Sequence, residues 1–150
     1  MNSNSTILIA EDDEGHAALI TKNLRRAGIH NEILLFGDGE EILRFLFTIS
    51  ENHRKSGIPY LLLLDIRMPK IDGVEVLTRI KADPELKKMP VIILTTTDDP
   101  REVELCHACG CNSYITKPVD CERFVQAVQN LGAFMNILQI PNIDGMELPN

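Results

Sequence analysis

Five short apolar runs, each followed by a stretch with helical periodicity, constrain this chain more than any other feature. Ile7-Leu8-Ile9-Ala10, Ile33 to Phe36, Leu61 to Leu64, Val91 to Leu94 and Tyr114-Ile115-Thr116 each have the length of a strand. Between them, Ala17, Ile20, Leu24 and Ala27 recur at helical spacing, as do Ile42, Leu43, Leu46 and Ile49, and then Val74, Leu77 and Ile80. The punctuation agrees. Gly28 is placed to end the first helix, Asp38-Gly39 turns into the second, and Asp83-Pro84 closes the third. Asp99-Pro100 starts a fourth helix with proline in its first turn, and Asp120 is placed to cap a last one carrying Phe124, Val128, Leu131 and Met135. Strands apolar throughout and alternating with helices predict a parallel sheet covered on both faces. The 150 residues fit one domain, with a polar, Pro/Gly-bearing tail from Pro141 to Asn150. Ser50 to Pro59 is polar and basic and reads as a loop, or as a frayed helix end plus a loop.

Several function classes are disfavoured. A net charge of −7 argues against nucleic acid as the main partner, since phosphate backbones require clustered Lys and Arg. No run is long enough to cross a bilayer, and Met1 to Thr6 lacks the apolar core of an export signal, so a cytoplasmic, membrane-free protein is expected. Cys106, Cys109 and Cys111 cluster, with Cys121 further on, but a closed zinc site pairs two short Cys/His spacings and only His107 joins this one. Reduced thiols are the expectation.

In an open parallel sheet, ligands bind beyond the carboxyl ends of the strands. The residues there are Glu11, Asp12 and Asp13 after the first strand, Asp65 after the third, Thr95, Thr96 and Thr97 after the fourth, and Lys117-Pro118 after the fifth. Three carboxylates in one pocket repel one another unless a cation offsets them. A hard divalent ion with oxygen ligands fits that need, and magnesium is the expected one. A carboxylate beside a cation and a lysine is suited to accept a phosphoryl group, because that transfer depends on positioning and on neutralising the equatorial oxygens.

Ile-Leu-Ile-Ala-Glu-Asp-Asp, Leu-Asp-Ile-Arg-Met-Pro-Lys-Ile-Asp-Gly, Ile-Leu-Thr-Thr and Tyr-Ile-Thr-Lys-Pro together resemble the receiver domain of two-component response regulators, over about residues 6 to 135. The resemblance implies an α/β fold: a doubly wound, five-stranded parallel sheet with five helices, flavodoxin-like, in strand order 2-1-3-4-5. It implies a receiver domain over residues 1–140 that acts as a phosphoacceptor regulator rather than an enzyme with a turned-over substrate. Asp65 is then the phosphoacceptor. Asp12 and Asp65 bind magnesium directly, Glu11 binds it through a water, and the backbone carbonyl of Arg67 completes the protein ligands. Thr95 hydrogen-bonds the arriving phosphoryl group and Lys117 ion-pairs with it, with a cis bond expected between Lys117 and Pro118. Met68-Pro69 and Asp72-Gly73 shape the loop after the acceptor, and Asp13 caps the first helix.

The resemblance also implies a switch. Thr95 moves toward the phosphoryl oxygens, Tyr114 fills the space, and the face built from the fourth helix, fifth strand and fifth helix changes. Arg67 and Thr97 sit where the family tunes the lifetime of the phosphate; Arg67 is long enough to pair with Glu11 or to reach the phosphoryl group. A haloacid-dehalogenase-type phosphatase would need a second Asp two residues after the nucleophile, where Arg67 stands. A receiver that only docks, without phosphorylation, is disfavoured by the intact set of Asp12, Asp65, Thr95 and Lys117.

With no length left for a DNA-binding domain, the expected partners are a sensor histidine kinase and a downstream protein or histidine phosphotransfer protein. The loop at 50–59 and the extended C-terminus resemble small regulators paired with bacterial phytochrome kinases. The last helix carries Phe124, Val128, Leu131, Met135 and Leu138 on one seam, with Val125, Phe134 and Ile137 off it. Two readings stand for that excess: a homodimer contact, or an ordinary core helix followed by a tail. Gly132 within it costs about 1 kcal/mol of helix propensity.

Overall fold

The computed structural model describes residues 4–52, 59–96, 99–117, 121–137 and 140. Five strands alternate with five helices: β1 Thr6–Ala10, α1 Glu14–Arg26, β2 Ile33–Phe36, α2 Gly39–Asn52, β3 Tyr60–Leu64, α3 Gly73–Ala82, β4 Val91–Thr95, α4 Pro100–Ala108, β5 Ser113–Thr116 and α5 Cys121–Met135. A 3-10 turn, Leu86–Lys88, precedes β4. All strand pairs are parallel, in the order β2-β1-β3-β4-β5 expected from the resemblance. Of the two readings of 50–59, the helix end plus a loop agrees with α2, which runs to Asn52; residues 53–58 lie outside the described residues.

Alternate residues of each central strand point to opposite faces. Leu8, Leu62, Leu64, Val91 and Ile93 meet Ile42, Leu46, Val76, Ile80 and Cys106 from α2, α3 and α4. Ile7, Ile9, Leu61, Leu63, Ile92 and Leu94 meet Ile20, Leu24, Phe124, Val128 and Leu131 from α1 and α5. The sheet is thus the middle of three layers. β1, β3 and β4 are buried along their whole length, while β2 and β5 form the edges and Leu35 stands 55% exposed.

Aspartates begin the helices. Asp13 Oδ1 accepts from His16 N at 3.0 Å, as expected, and Asp38, Asp72 and Asp99 do the same for α2, α3 and α4. The Asp120 cap lies outside the described residues. Two helices end alike, on a glycine in the left-handed region. Gly28 (φ +91°) ends α1 with Ile29 N donating to Leu24 O, and Gly110 (φ +98°) ends α4 with Cys111 N donating to Cys106 O. Burial pushes the Cys106 thiol up to about 11, so it packs as a small apolar group. Cys106, Cys109 and Cys111 are free thiols.

The last helix divides as the sequence suggested. Phe124, Val128, Leu131 and Met135 are buried, whereas Phe134 is 48% and Ile137 76% exposed. Leu138 lies outside the described residues, and Ile140 returns to the core. Gly132 has a packing reason that outweighs its propensity cost. A Cβ there would come within 2.6 Å of the Ala27 Cβ, at the place where α5 crosses the end of α1. Among the described residues, no helix is long and apolar enough to cross a membrane.

Candidate functional site

The strand order carries the ends of β1, β3, β4 and β5 to one edge of the sheet. Ala10 pairs with Leu64, and Asp65 N donates to Ala10 O at 3.0 Å, so Glu11 and Asp65 leave the sheet side by side. Thr95 pairs with Thr116, and Lys117 N donates to Thr95 O at 2.6 Å, which brings the lysine across from β5. Lys117 Nζ then hydrogen-bonds Glu11 Oε2 and lies 3.5 Å from Asp65 Oδ2. All three side chains are at least nine-tenths buried. Asp12 stands exposed at the rim.

One carboxylate oxygen from each of Glu11, Asp12 and Asp65 lies within 4.8 Å of the others. Three carboxylates against one ammonium leave two negative charges when all are ionised. That balance, with an all-oxygen donor set, fits a hard divalent cation. All three carboxylates could supply an oxygen to such an ion.

Burial raises the Glu11 carboxyl from its ordinary 4.5 to about 7; the Lys117 hydrogen bond opposes the rise and the Asp65 charge adds to it. The folded protein therefore holds a proton on Glu11 where the unfolded chain has lost it. Without divalent ions, this contribution to stability is present below 4.5 and is lost as pH rises toward 7. Urea titrations in chelator should show the decline, Glu11→Gln should remove it, and magnesium should offset it most at the alkaline end. Equal slopes for the two proteins would contradict this account of Glu11.

The loop after Asp65 is held closely. Arg67 N donates to Asp65 Oδ1 at 3.3 Å, and Gly73 N donates to Ile66 O at 2.8 Å. A Cβ on Gly73 would sit 2.2 Å from the Asp65 carbonyl oxygen. The Asp-Gly pair thus has a steric role as well as capping α3. The Arg67 side chain, long enough to pair with Glu11 or to reach a phosphoryl group, meets Glu102 of α4 at 3.1 Å. The Thr95 hydroxyl is fully buried and has no hydrogen-bond partner among the described residues. Tyr114 is half-buried on the α4 side, its ring 6.4 Å from that of His107. Thr97 and the bond from Lys117 to Pro118 lie outside the described residues.

One residue of the site was missed by the sequence reading. His16, in the first turn of α1, places Nδ1 3.3 Å from Lys117 Nζ. Its position four residues after Asp12, on the helix that leaves the acidic cluster, was the available signal. Among the described residues, the acidic trio is the one group with metal-ligand spacing, so the three described thiols form no such cluster.

The response regulator receiver domain family matches residues 7–129. The chain is 34% identical over 133 residues to response regulator Rcp1 of Synechocystis sp., covering 89% of this chain and 90% of the relative. Among solved structures, the receiver domain from Rhodospirillum rubrum superposes with TM-score 0.88 at 47% identity, over 93% of this chain and 99% of that one. The Mn(2+)-bound form of Rcp1 gives 0.82 at 31% identity, over 91% and 99%. The phosphorylated cyanobacterial phytochrome response regulator RcpA gives 0.82 at 30%, over 93% and 99%.

Proposed function

The chain belongs to the response regulator receiver domain family, and from that premise we propose that Asp65 accepts a phosphoryl group from a sensor histidine kinase, with magnesium. The observation that supports this most is the convergence on Asp65 of Lys117 Nζ at 3.5 Å and of two further carboxylates. A carboxylate oxygen of Asp65 forms the new bond to phosphorus as the bond to the donor's histidine nitrogen breaks. Lys117 donates to one phosphoryl oxygen. Thr95, whose hydroxyl has no partner among the described residues, donates to another. When bound, a divalent cation would offset charge on the carboxylates and on the transferring group. Asp12, Asp65 and the Arg67 carbonyl would hold it directly and Glu11 through water. Arg67 and Thr97 would set how long the acyl phosphate lasts.

Phosphorylation then biases the α4-β5-α5 face. The shift is thermodynamic: the phosphoryl group binds the active arrangement better than the resting one. Thr95 moves toward the new oxygens and Tyr114 follows on the α4 side. The output is a protein contact made by the receiver domain in the cytoplasm, either to a phosphotransfer protein or target, or to a second copy through α5. Exposed Phe134 and Ile137 support the last of these. Likeness to a phytochrome response regulator and to a bacteriophytochrome response regulator supports a bacteriophytochrome as the kinase.

The test is labelling with acetyl phosphate. The whole protein is expected to gain one phosphoryl mass increment with magnesium and none in chelator. A protein that stays unlabelled at saturating magnesium would be a docking module without phosphorylation.

A further inference from the structure

We propose that His16 is a positioning residue for phosphoryl transfer: its imidazole Nδ1 accepts a hydrogen bond from Lys117 and fixes where that ammonium stands relative to Asp65. The inference rests on the reading of Asp65 as phosphoacceptor. An ammonium has three protons and no lone pair. Around Lys117 Nζ stand three polar partners: Glu11 Oε2, Asp65 Oδ2 at 3.5 Å and His16 Nδ1 at 3.3 Å. In that contact the imidazole can only accept, which places its own proton on Nε2.

The His16 backbone N–H donates to Asp13 Oδ1, which fixes the residue in the first turn of α1, and the ring lies 5.5 Å from that of Phe124, tilted by 50°. Phe124 is buried in α5, so α1 and α5 together fix the acceptor. The carboxylates nearest the same nitrogen, Asp13 Oδ2 at 3.8 Å and Glu11 Oε1 at 3.9 Å, are further away than the lysine.

A neutral acceptor does something a fourth carboxylate would not. It satisfies the third proton of Lys117 without adding negative charge to a pocket that already carries an excess. Glu11 holds the ammonium most closely, and Asp65 is the more distant of its two carboxylate partners. Without His16 the ammonium swings wholly onto Glu11, away from the place where a phosphoryl oxygen must meet it. A small misplacement of a charged donor is enough to cost a large rate factor.

The test uses the full chain, acetyl phosphate and a magnesium titration. His16→Leu keeps the bulk of the ring and removes the acceptor; His16→Asn returns an acceptor at about the position of Nδ1. His16→Leu is expected to slow phosphorylation about tenfold with the magnesium dependence unchanged, and His16→Asn to stay within about threefold of wild type. In a Lys117→Ala background, His16→Leu should cost nothing more. The proposal is overturned if His16→Leu is as fast as wild type, if His16→Asn is slowed as much as His16→Leu, or if the effect persists without Lys117. Wild-type protein that takes no label at all would instead sink the reading of Asp65, and this proposal with it.

Discussion

An Asp65→Asn variant is expected to lose phosphorylation by small donors and by its kinase, a fall on the order of a thousandfold or more. The amide has nearly the shape of the carboxylate, so the loop with Arg67 N and Gly73 is kept while the nucleophilic oxygen is lost. The expectation has a second part. Asp65 is one of three carboxylates in a pocket with one buried ammonium, and its charge helps to raise Glu11. Removing it relieves repulsion, so the metal-free variant should be no less stable than wild type, and Glu11 should titrate closer to its ordinary value. Intact-mass measurement after acetyl phosphate treatment reads the first part, and denaturation in chelator the second. Full labelling of Asp65→Asn would move the acceptor to another carboxylate.

The second large effect is steric. Gly73→Ala would place a Cβ 2.2 Å from the Asp65 carbonyl oxygen and 2.7 Å from the Ile66 Cα. Both are backbone atoms and cannot rotate aside, so either α3 or the acceptor loop must move. Alanine's better helix propensity returns less than about 1 kcal/mol. The overpacking costs more, and a net loss of about 3 kcal/mol is expected in urea titrations. Because the clash falls on the backbone of Asp65 itself, the folded fraction should also accept phosphate more slowly. A variant as stable and as quickly labelled as wild type would show that the loop has slack the packing denies.

Much of this was legible because the relevant information is local. Apolar runs such as Leu61 to Leu64 are buried on both faces, so they announce themselves without periodicity. A parallel sheet then obliges the residues after each run to meet at one edge, and Glu11, Asp65 and Lys117 do meet there. What escaped notice depends on contacts between distant parts of the chain. His16 was not singled out in the sequence, and its contact with Lys117 spans 101 positions. The ion pair of Arg67 with Glu102 joins the loop after Asp65 to α4, 35 positions on, and no local pattern points to it. Gly132 looked like a defect on propensity alone; its use shows only when Ala27 is set against it.

The buried hydroxyl of Thr95 has a consequence for the direction of signalling. Among the described residues it has no acceptor, and an enclosed donor left without one destabilises the form that contains it by about 1–3 kcal/mol. On the proposed reading, an oxygen delivered to Asp65 would give Thr95 the acceptor it lacks among the described residues. The resting arrangement would then carry a cost at one atom that chemistry at its neighbour removes. Part of the drive toward the proposed signalling shape would reside in the protein before any phosphate arrives.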